Sequence, residues 1–473
     1  MMNPANPVLV QNSTRAVRRR SLFFKLAGIG GLIVLLHIPL IMMHGIVRER
    51  QNYQQTATRE IASTWGQRQT VIGPVLAVPY AYRTNVVRSK VVAGKAVQVE
   101  EVDLVGAVAY FLPESLTVDG VVEPEVRHRG IYEAVVYTTK LKLSGHFQPD
   151  FADAGFTADR IDWQKTEVLF GVGDLRGIRS VSPVAIKGGK PFGFEAAEEN
   201  GCEGLQLAAK IEGAASGETL AFTFDAVLQG SERLDLVPLG KATRLSLTSP
   251  WSDPSFGGAY LPVSRQVSTS GFTAEWESSH FSRGFGQSWT NRNADNREML
   301  KKFFAASFGV AFTQPVDGYR LVERAEKYGV LFFVLVFTVF FLFEVTASLR
   351  IHPLQYAMVG AALCLFFLGF LALSEIWTIG RAYGTAAAGC TGMVSLYALS
   401  FLRTGWRTLV IGIGLGAMYG YLYFVLQSQD YALVAGTLAL FATLAVVMFC
   451  TRRINWYDLE VSQTATAGAE SKQ

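Results

Sequence analysis

Residues 329–349 read GVLFFVLVFTVFFLFEVTASL, twenty-one positions carrying one charge, that of Glu344. At about 1.5 Å of rise per residue the run spans roughly 30 Å, the thickness of a bilayer's hydrocarbon core. It therefore predicts a membrane helix, and five further segments pass the same test: 22–47, 354–373, 383–402, 408–427 and 431–450. Charge counting supports the division. Only 17% of the 473 residues are charged, against roughly 25% in an ordinary soluble chain. Of the 82 charged side chains, 64 lie in residues 48–327. That insert has an ordinary soluble composition, and the remainder is apolar. A purely soluble enzyme is excluded. The insert carries 31 basic and 33 acidic residues, a net charge of −2, so no polyanion-binding face and no nucleic-acid partner is expected.

Lys and Arg set the expected orientation. Arg15, Arg18, Arg19, Arg20 and Lys25 precede or open the first span, Arg350 follows the second, Arg403 and Arg407 follow the fourth, and Arg452 and Arg453 follow the sixth; the short loops of the opposite side hold Arg381 alone. The positive-inside rule then puts both termini in the cytoplasm and the insert in the periplasm. The expected layout is a basic cytoplasmic tail (1–21), a first transmembrane helix (22–47), a periplasmic domain with flanking helices (48–328), a five-helix bundle (329–450) and a cytoplasmic tail (451–473). The first span reads as an uncleaved anchor. It is longer than a signal-peptide core and ends in His44, Gly45 and Ile46 without a small-x-small site. Short loops make the later spans antiparallel neighbours. Pro353 falls in the first turn of the third span, where its missing N–H costs nothing, and Arg350 snorkels to the headgroups.

Beyond the anchor, Tyr53, Ala57, Ile61 and Trp65 recur at helical spacing and Gly66 ends the pattern, so the helix is expected to run outward for about four turns. β-rich runs follow at 75–82, 86–92, 97–111, 134–147, 165–170, 205–211, 219–228, 244–248 and 271–276, with turns expected at Asp119-Gly120, Lys187-Gly188-Gly189 and Asn200-Gly201. This is the pattern of a sandwich or an open curved sheet. Residues 296–304 fit a helix, and 321–328 are expected to lead without a break into the second span. The fold class is thus a six-span α-helical membrane protein carrying a large periplasmic β-rich domain. Cys202 alone lies in the insert, while Cys364, Cys390 and Cys450 fall in spans, so no intramolecular disulfide is expected.

Zinc-protease, nucleophile-elbow, P-loop, CxxC and SxxK motifs are absent from the sequence. His128, His146 and His280 stand apart, and the acidic groups Glu100, Glu101, Asp103 and Glu195, Glu198, Glu199 read as solvated faces. No catalytic residue, metal ligand or cofactor is expected. Gly412, Gly416 and Gly420, four apart in an apolar run, form a small-residue stripe for helix packing. The ionisable groups expected inside the membrane are the stronger candidates. Glu344 lies on the order of 8 Å from the cytoplasmic edge of its span, and His37 is near the middle of the first span beside Pro39. An intramembrane charge must be paired, protonated or facing a cavity, which makes both residues candidates for a functional or a structural role. Glu375, at the other end of its span, is too far from Glu344 to form an acid/base pair with it.

Three blocks resemble the CreD family of bacterial inner-membrane proteins, described as cell-envelope integrity proteins. The first is Glu60-Ile61-Ala62, Trp65-Gly66, Gln69, Gly73-Pro74 and Pro79-Tyr80. The second is Pro250-Trp251, Pro254-Ser255-Phe256, Gly258, Leu261-Pro262, Gly271-Phe272 and Trp276. The third runs from Gln314-Pro315-Val316-Asp317-Gly318-Tyr319 through Glu323-Arg324, Lys327-Tyr328-Gly329 and Phe343-Glu344 to Arg350-Ile351-His352-Pro353 and Gln355-Tyr356. The resemblance implies an inner-membrane protein produced under envelope or β-lactam stress and needed for normal envelope properties. It carries over no catalytic residue. The expected function is support of envelope integrity through a periplasmic domain that binds an envelope component: a lipid, a glycan or a periplasmic protein. The alternatives are a transporter or channel using Glu344 and His37, and a membrane enzyme acting on lipid-linked glycans. Membrane lipids are expected partners, and the sequence leaves the oligomeric state open.

Overall fold

The computed structural model describes residues 7–92, 95–197, 204–292, 295–312, 318–346, 351–402, 404–428 and 432–452. It divides into two compact units, Gln54–Pro315 and the combination of Met1–Tyr53 with Val316–Gln473. The first is built on strands and the second on helices.

The helical unit contains most of α1 (Pro7–Trp65), and the helix continues through Pro39 without interruption. Leu36, Leu40, Met43 and Val47 are buried on it. Their spacing of four, three and four places them on one stripe. The later helices are α3 (Gly318–Lys327), α4 (Gly329–Thr346), α5 (Pro353–Ser374), α6 (Ile379–Leu402), α7 (Gly405–Gln427) and α8 (Ala432–Thr451); α2 (Asn296–Ala306) belongs to the other unit. Helices thus lie over all six apolar segments. Among the described residues three are long and apolar enough to cross a membrane, Ala27–Trp65 of α1, α5 and α7. The pair α3 with Gly329–Leu342 makes a fourth if taken as one span. That pair is bent by 49°, which corrects the expectation of an unbroken run into the second span. The break separates a polar helix, rich in charge, from an apolar one.

Lipid offers no hydrophobic drive to hold such helices together, so shape and buried polar contacts must do it. Phe366 of α5 packs on Tyr419 of α7 with ring centroids 4.4 Å apart, and Phe370 meets Tyr383 of α6 edge-on at 5.2 Å. Tyr383 donates to the Tyr419 carbonyl at 2.6 Å, Tyr419 donates to Cys390 Sγ at 3.2 Å, and that thiol donates to the Ala362 carbonyl at 3.2 Å. Close helix approach is made at Gly329, where a Cβ would meet Leu40 Cδ1 at 2.9 Å, and at Gly360, where it would meet Leu36 and Phe337. In the expected stripe, a Cβ on Gly412 would meet Ser395 Oγ at 3.1 Å, while on Gly416 or Gly420 it meets nothing within 4 Å among the described residues.

Among the described residues the β unit has two mixed sheets, one of ten strands and one of nine. The expected runs 75–82 and 86–92 are one strand, β1 (Gln69–Val92). It pairs in parallel with Arg233–Leu236, then antiparallel with Glu167–Gly171 and with β2 (Lys95–Phe111). A register shift between Ile72 and Val75 lets it change direction, and Gly73 there adopts φ +121° with no room for a Cβ beside Leu169 and Phe170. The second sheet is centred on β3 (Ser115–Arg129) and β4 (Tyr132–Phe147). Strand β3 replaces the turn expected at Asp119-Gly120. Gly120 is buried mid-strand, where the side chains of Leu247 and Leu141 occupy the space of a Cβ. Pro124 is also a residue that strands tolerate poorly. It lies past Val121, where the parallel neighbour Ala242–Ser249 has ended and only β4 pairs, so its missing N–H breaks no ladder. Lys187 and Gly188 form the expected turn with positive φ; Asn200-Gly201 and Cys202 lie outside the described residues.

Both sheets feed one core. Phe170 meets Phe224 edge-on at 5.3 Å, Tyr137 meets Phe312 at 5.2 Å, and Trp276 meets Phe308 at 6.0 Å, each pair joining the two sheets. Full burial of each such side chain contributes about 1.5–3 kcal/mol. The end of α1 is fastened to this unit. Trp65 Nε1 donates to the Tyr137 carbonyl at 3.3 Å, the Arg127 guanidinium lies 4.6 Å over the indole, and Arg129 pairs with Glu60 at 2.7 Å. Gly66 follows at φ +137°, with Gln229 O only 2.6 Å from where a Cβ would be. Gln69 is fully buried, holding Gln229 O at 3.0 Å and both backbone groups of Asp174. Much of the first sequence block is therefore joinery between helix and sheet.

Candidate functional site

Helix α4 and the short α3 before it carry a buried carboxylate at each end, Glu344 and Glu326. Both are paired with α1. Eighteen residues separate the two acids and nineteen separate their partners, Lys25 and His44; at about 1.5 Å per residue each interval is close to the hydrocarbon thickness.

Glu344 is satisfied from three directions. Lys25 Nζ pairs with Oε1, the Ile351 N–H donates to the same oxygen at 3.3 Å, and the Tyr356 hydroxyl donates to Oε2 at 3.1 Å. The turn that delivers these groups is specified locally. His352 is the N-cap of α5 and its Nδ1 accepts from the Leu354 N–H at 3.2 Å, Pro353 takes the first turn, and Gln355 Oε1 accepts from the His352 N–H at 2.9 Å. The sequence from Ile351 to Tyr356 thus serves one purpose: it brings an N–H and a phenol to Glu344. Arg350 and its snorkelling lie outside the described residues. A carboxylate with a cation and two donors has its charge compensated, which is what a buried ion pair needs to persist.

His37, the other intramembrane candidate, is exposed on α1. It follows the buried Leu36, and one residue turns the helix by about 100°, off the buried stripe. Glu375 is the C-cap of α5, accepting from Tyr319 of α3 at 3.0 Å and lying 3.6 Å from Arg50 of α1. The histidines of the β unit are separate: His128 lies 3.1 Å from Glu133, His146 Nδ1 bonds Ser115 Oγ at 2.7 Å, and His280 packs on Phe281. Glu100, Glu101 and Asp103 lie along β2, and Glu198 and Glu199 are outside the described residues. Among the described residues no three His, Cys, Asp or Glu side chains converge to hold a metal ion.

Glu326 was hidden in the sequence, because LVERAEKYG reads as a solvated polar helix. In the structure α3 buries Tyr319, Val322, Ala325 and Glu326 on one side. The Glu326 side chain is 5% exposed and His44 Nδ1 stands 3.4 Å from Oε2, yet neither carboxylate oxygen receives a hydrogen bond. Burial, with a smaller contribution from Glu323, pushes its pKa up to about 7. A second buried charge missed by sequence reading is Arg283. Its Nη1 gathers the carbonyls of Pro238, Leu239 and Gly240, and Gln287 beside it donates to those of Leu112 and Pro113. Burial lowers the Arg283 pKa to about 10. Its role is to saturate carbonyls that two irregular segments would otherwise bury unpaired.

On the β unit, Phe281 is 87% exposed and Leu261 65% exposed, and Val263 is exposed as well. Tyr260 donates to the Ser282 carbonyl at 2.7 Å, which holds these two segments side by side. No signal in the sequence separates these apolar residues from core ones.

A family description, "Inner membrane protein CreD", matches residues 21–457. The Inner membrane protein CreD of Escherichia coli (strain K12) is 32% identical over 444 residues, 92% of this chain and 94% of that one. Among solved structures, an M1 zinc metallopeptidase from Deinococcus radiodurans overlaps 35% of this chain and 39% of its own at 11% identity and a TM-score of 0.20, too slight a likeness to carry an argument.

Proposed function

The chain belongs to the CreD family of inner membrane proteins, and from that premise we propose that it supports envelope integrity, its β unit binding an apolar envelope component in the periplasm. Six crossings, with both termini in the cytoplasm, complete the reading. The basic residues around the first, fourth and sixth apolar segments support that orientation. The observation that carries the functional part is the exposure of Leu261, Val263 and Phe281 on two segments joined by the Tyr260–Ser282 bond, in a domain whose aromatic residues are otherwise largely in its core. Apolar patches exposed on soluble surfaces mark interaction sites. The three partners of Glu344 favour a structural ion pair over a group on a transport pathway, and His37 faces away from the buried stripe of α1.

The test is complementation of an envelope defect in a strain lacking the protein. The double variant Leu261→Ser, Phe281→Ser should accumulate normally, since both side chains are exposed, and fail to complement. Removal of Gln54–Pro315 should fail as well. Full complementation by the apolar helices alone would overturn the proposal. Complementation by the double variant would move the binding surface elsewhere on the β unit.

A further inference from the structure

The most unusual polar group in the helical unit is Glu326, and neither the family nor the proposed function uses it. We propose that His44 and Glu326 form a proton-binding site where α3 lies against α1, holding one proton between them, and that loss of this proton loosens α3 from the helical unit.

Geometry carries the proposal. An ionised carboxylate buried without a donor is among the costliest arrangements in a protein. Both Glu326 oxygens are in that position, with the side chain 5% exposed. A proton on the carboxyl removes the difficulty, because its O–H can turn toward His44 Nδ1 as acceptor. The 3.4 Å between Nδ1 and Oε2 needs only a small closure for that hydrogen bond. His44 is 34% exposed at its side chain, so it is the outer member of the pair.

The packed elements bring charged and titratable groups to this end. From α1 come His44, Arg48, Glu49 and Arg50, the last beside Glu375 at the C-cap of α5; from α3 itself come Arg320, Glu323, Arg324 and Lys327. Lys327 pairs with Glu323 at 3.5 Å, and Arg324 reaches the Val425 carbonyl of α7 at 3.5 Å. Glu323 opposes ionisation of Glu326, and Arg50, Arg324 and Lys327 have other partners. Helix α3 is also free to respond as a unit, because the 49° break separates it from α4. Its described polar ties to other helices include Tyr319 to Glu375 and Arg324 to Val425, and Tyr319, Val322 and Ala325 are buried with Glu326.

The direction of the pH effect follows. The folded form binds this proton more tightly than an unfolded one, so the contribution of Glu326 to α3 packing is complete below about pH 4.5 and is lost as pH rises through about 7.

Hydrogen–deuterium exchange of the full chain in vesicles of phosphatidylethanolamine and phosphatidylglycerol tests this, with rates corrected for intrinsic chemistry at about pH 5 and about pH 8. Protection of Gly318–Lys327 should fall at least about tenfold between them, the effect of one unit of pKa difference. In Glu326→Gln it should stay constant within about twofold. If Glu326→Gln does not fold, infrared difference spectra of the wild-type protein decide, with Glu344→Gln separating the other acid. A protonated-carboxyl band that disappears near pH 7 and moves in His44→Gln is the expected result. A flat exchange profile in the wild-type protein, a Glu326→Gln profile that follows the wild-type one, or a carboxyl band already gone at about pH 5 would each overturn the proposal.

Discussion

The Lys25–Glu344 contact and the His44–Glu326 contact join the same pair of chain segments, nearly the same number of residues apart on each, and bury a glutamate of the same chemistry. They differ in what surrounds the carboxylate. Glu344 meets a permanent cation, a phenol and a backbone N–H, whereas Glu326 meets a titratable imidazole and no hydrogen-bond donor. The first arrangement fixes a charge and therefore a position. The second leaves the charge to be decided by pH. A buried carboxylate is thus a fastening or a sensor according to its donors, and its depth alone says little.

The comparison can be broken most directly at its fixed end. Glu344→Ala strands Lys25, Tyr356 and the Ile351 N–H together, and should lower stability by about 3 kcal/mol in detergent unfolding at any pH; a loss of less than about 1 kcal/mol would mean the contact is not a fastening. Between the two ends, Gly360→Val should cost about 2 kcal/mol by pushing α5 off Leu36 and Phe337, as overpacking does. An unchanged melting temperature would show that the ends alone hold these helices. At the other end the expectation changes sign with pH. Glu326→Gln should be close to neutral at about pH 5 and stabilising by about 1.4 kcal/mol at about pH 8, where the wild-type carboxylate is ionised. A pH-independent loss there would make Glu326 a second fastening. The smallest effect belongs to Tyr356→Phe, which removes one of three donors and should cost about 1 kcal/mol, equally at both pH values.

How much of this could be read beforehand differs by element. The apolar segments were legible because a bilayer imposes a length and forbids unpaired charge, and helices lie over all six. The end of α1 at Gly66 was legible from spacing and a glycine. Strand β3 was not, since Asp119-Gly120 and Pro124 carry turn chemistry; the neighbours that fill the space of a missing Cβ, and the edge that excuses the proline, come from strands distant in sequence. On α7, periodicity marks a glycine face without naming what packs on it. Glu344 was singled out by its setting, but its cation is 319 residues away. Glu326 gave no sign, because a glutamate among Arg324, Lys327 and Glu323 looks solvated until another helix covers it.

The sequence by itself therefore determined the division into an apolar helical part and a soluble β-rich insert, because solvent acts on each residue separately and composition records it. Which glycines face a neighbour, which arginine gathers carbonyls and which carboxylate lacks a donor were decided by the tertiary structure alone. Those properties depend on groups brought within about 3–4 Å from distant parts of the chain, and no local pattern encodes that distance.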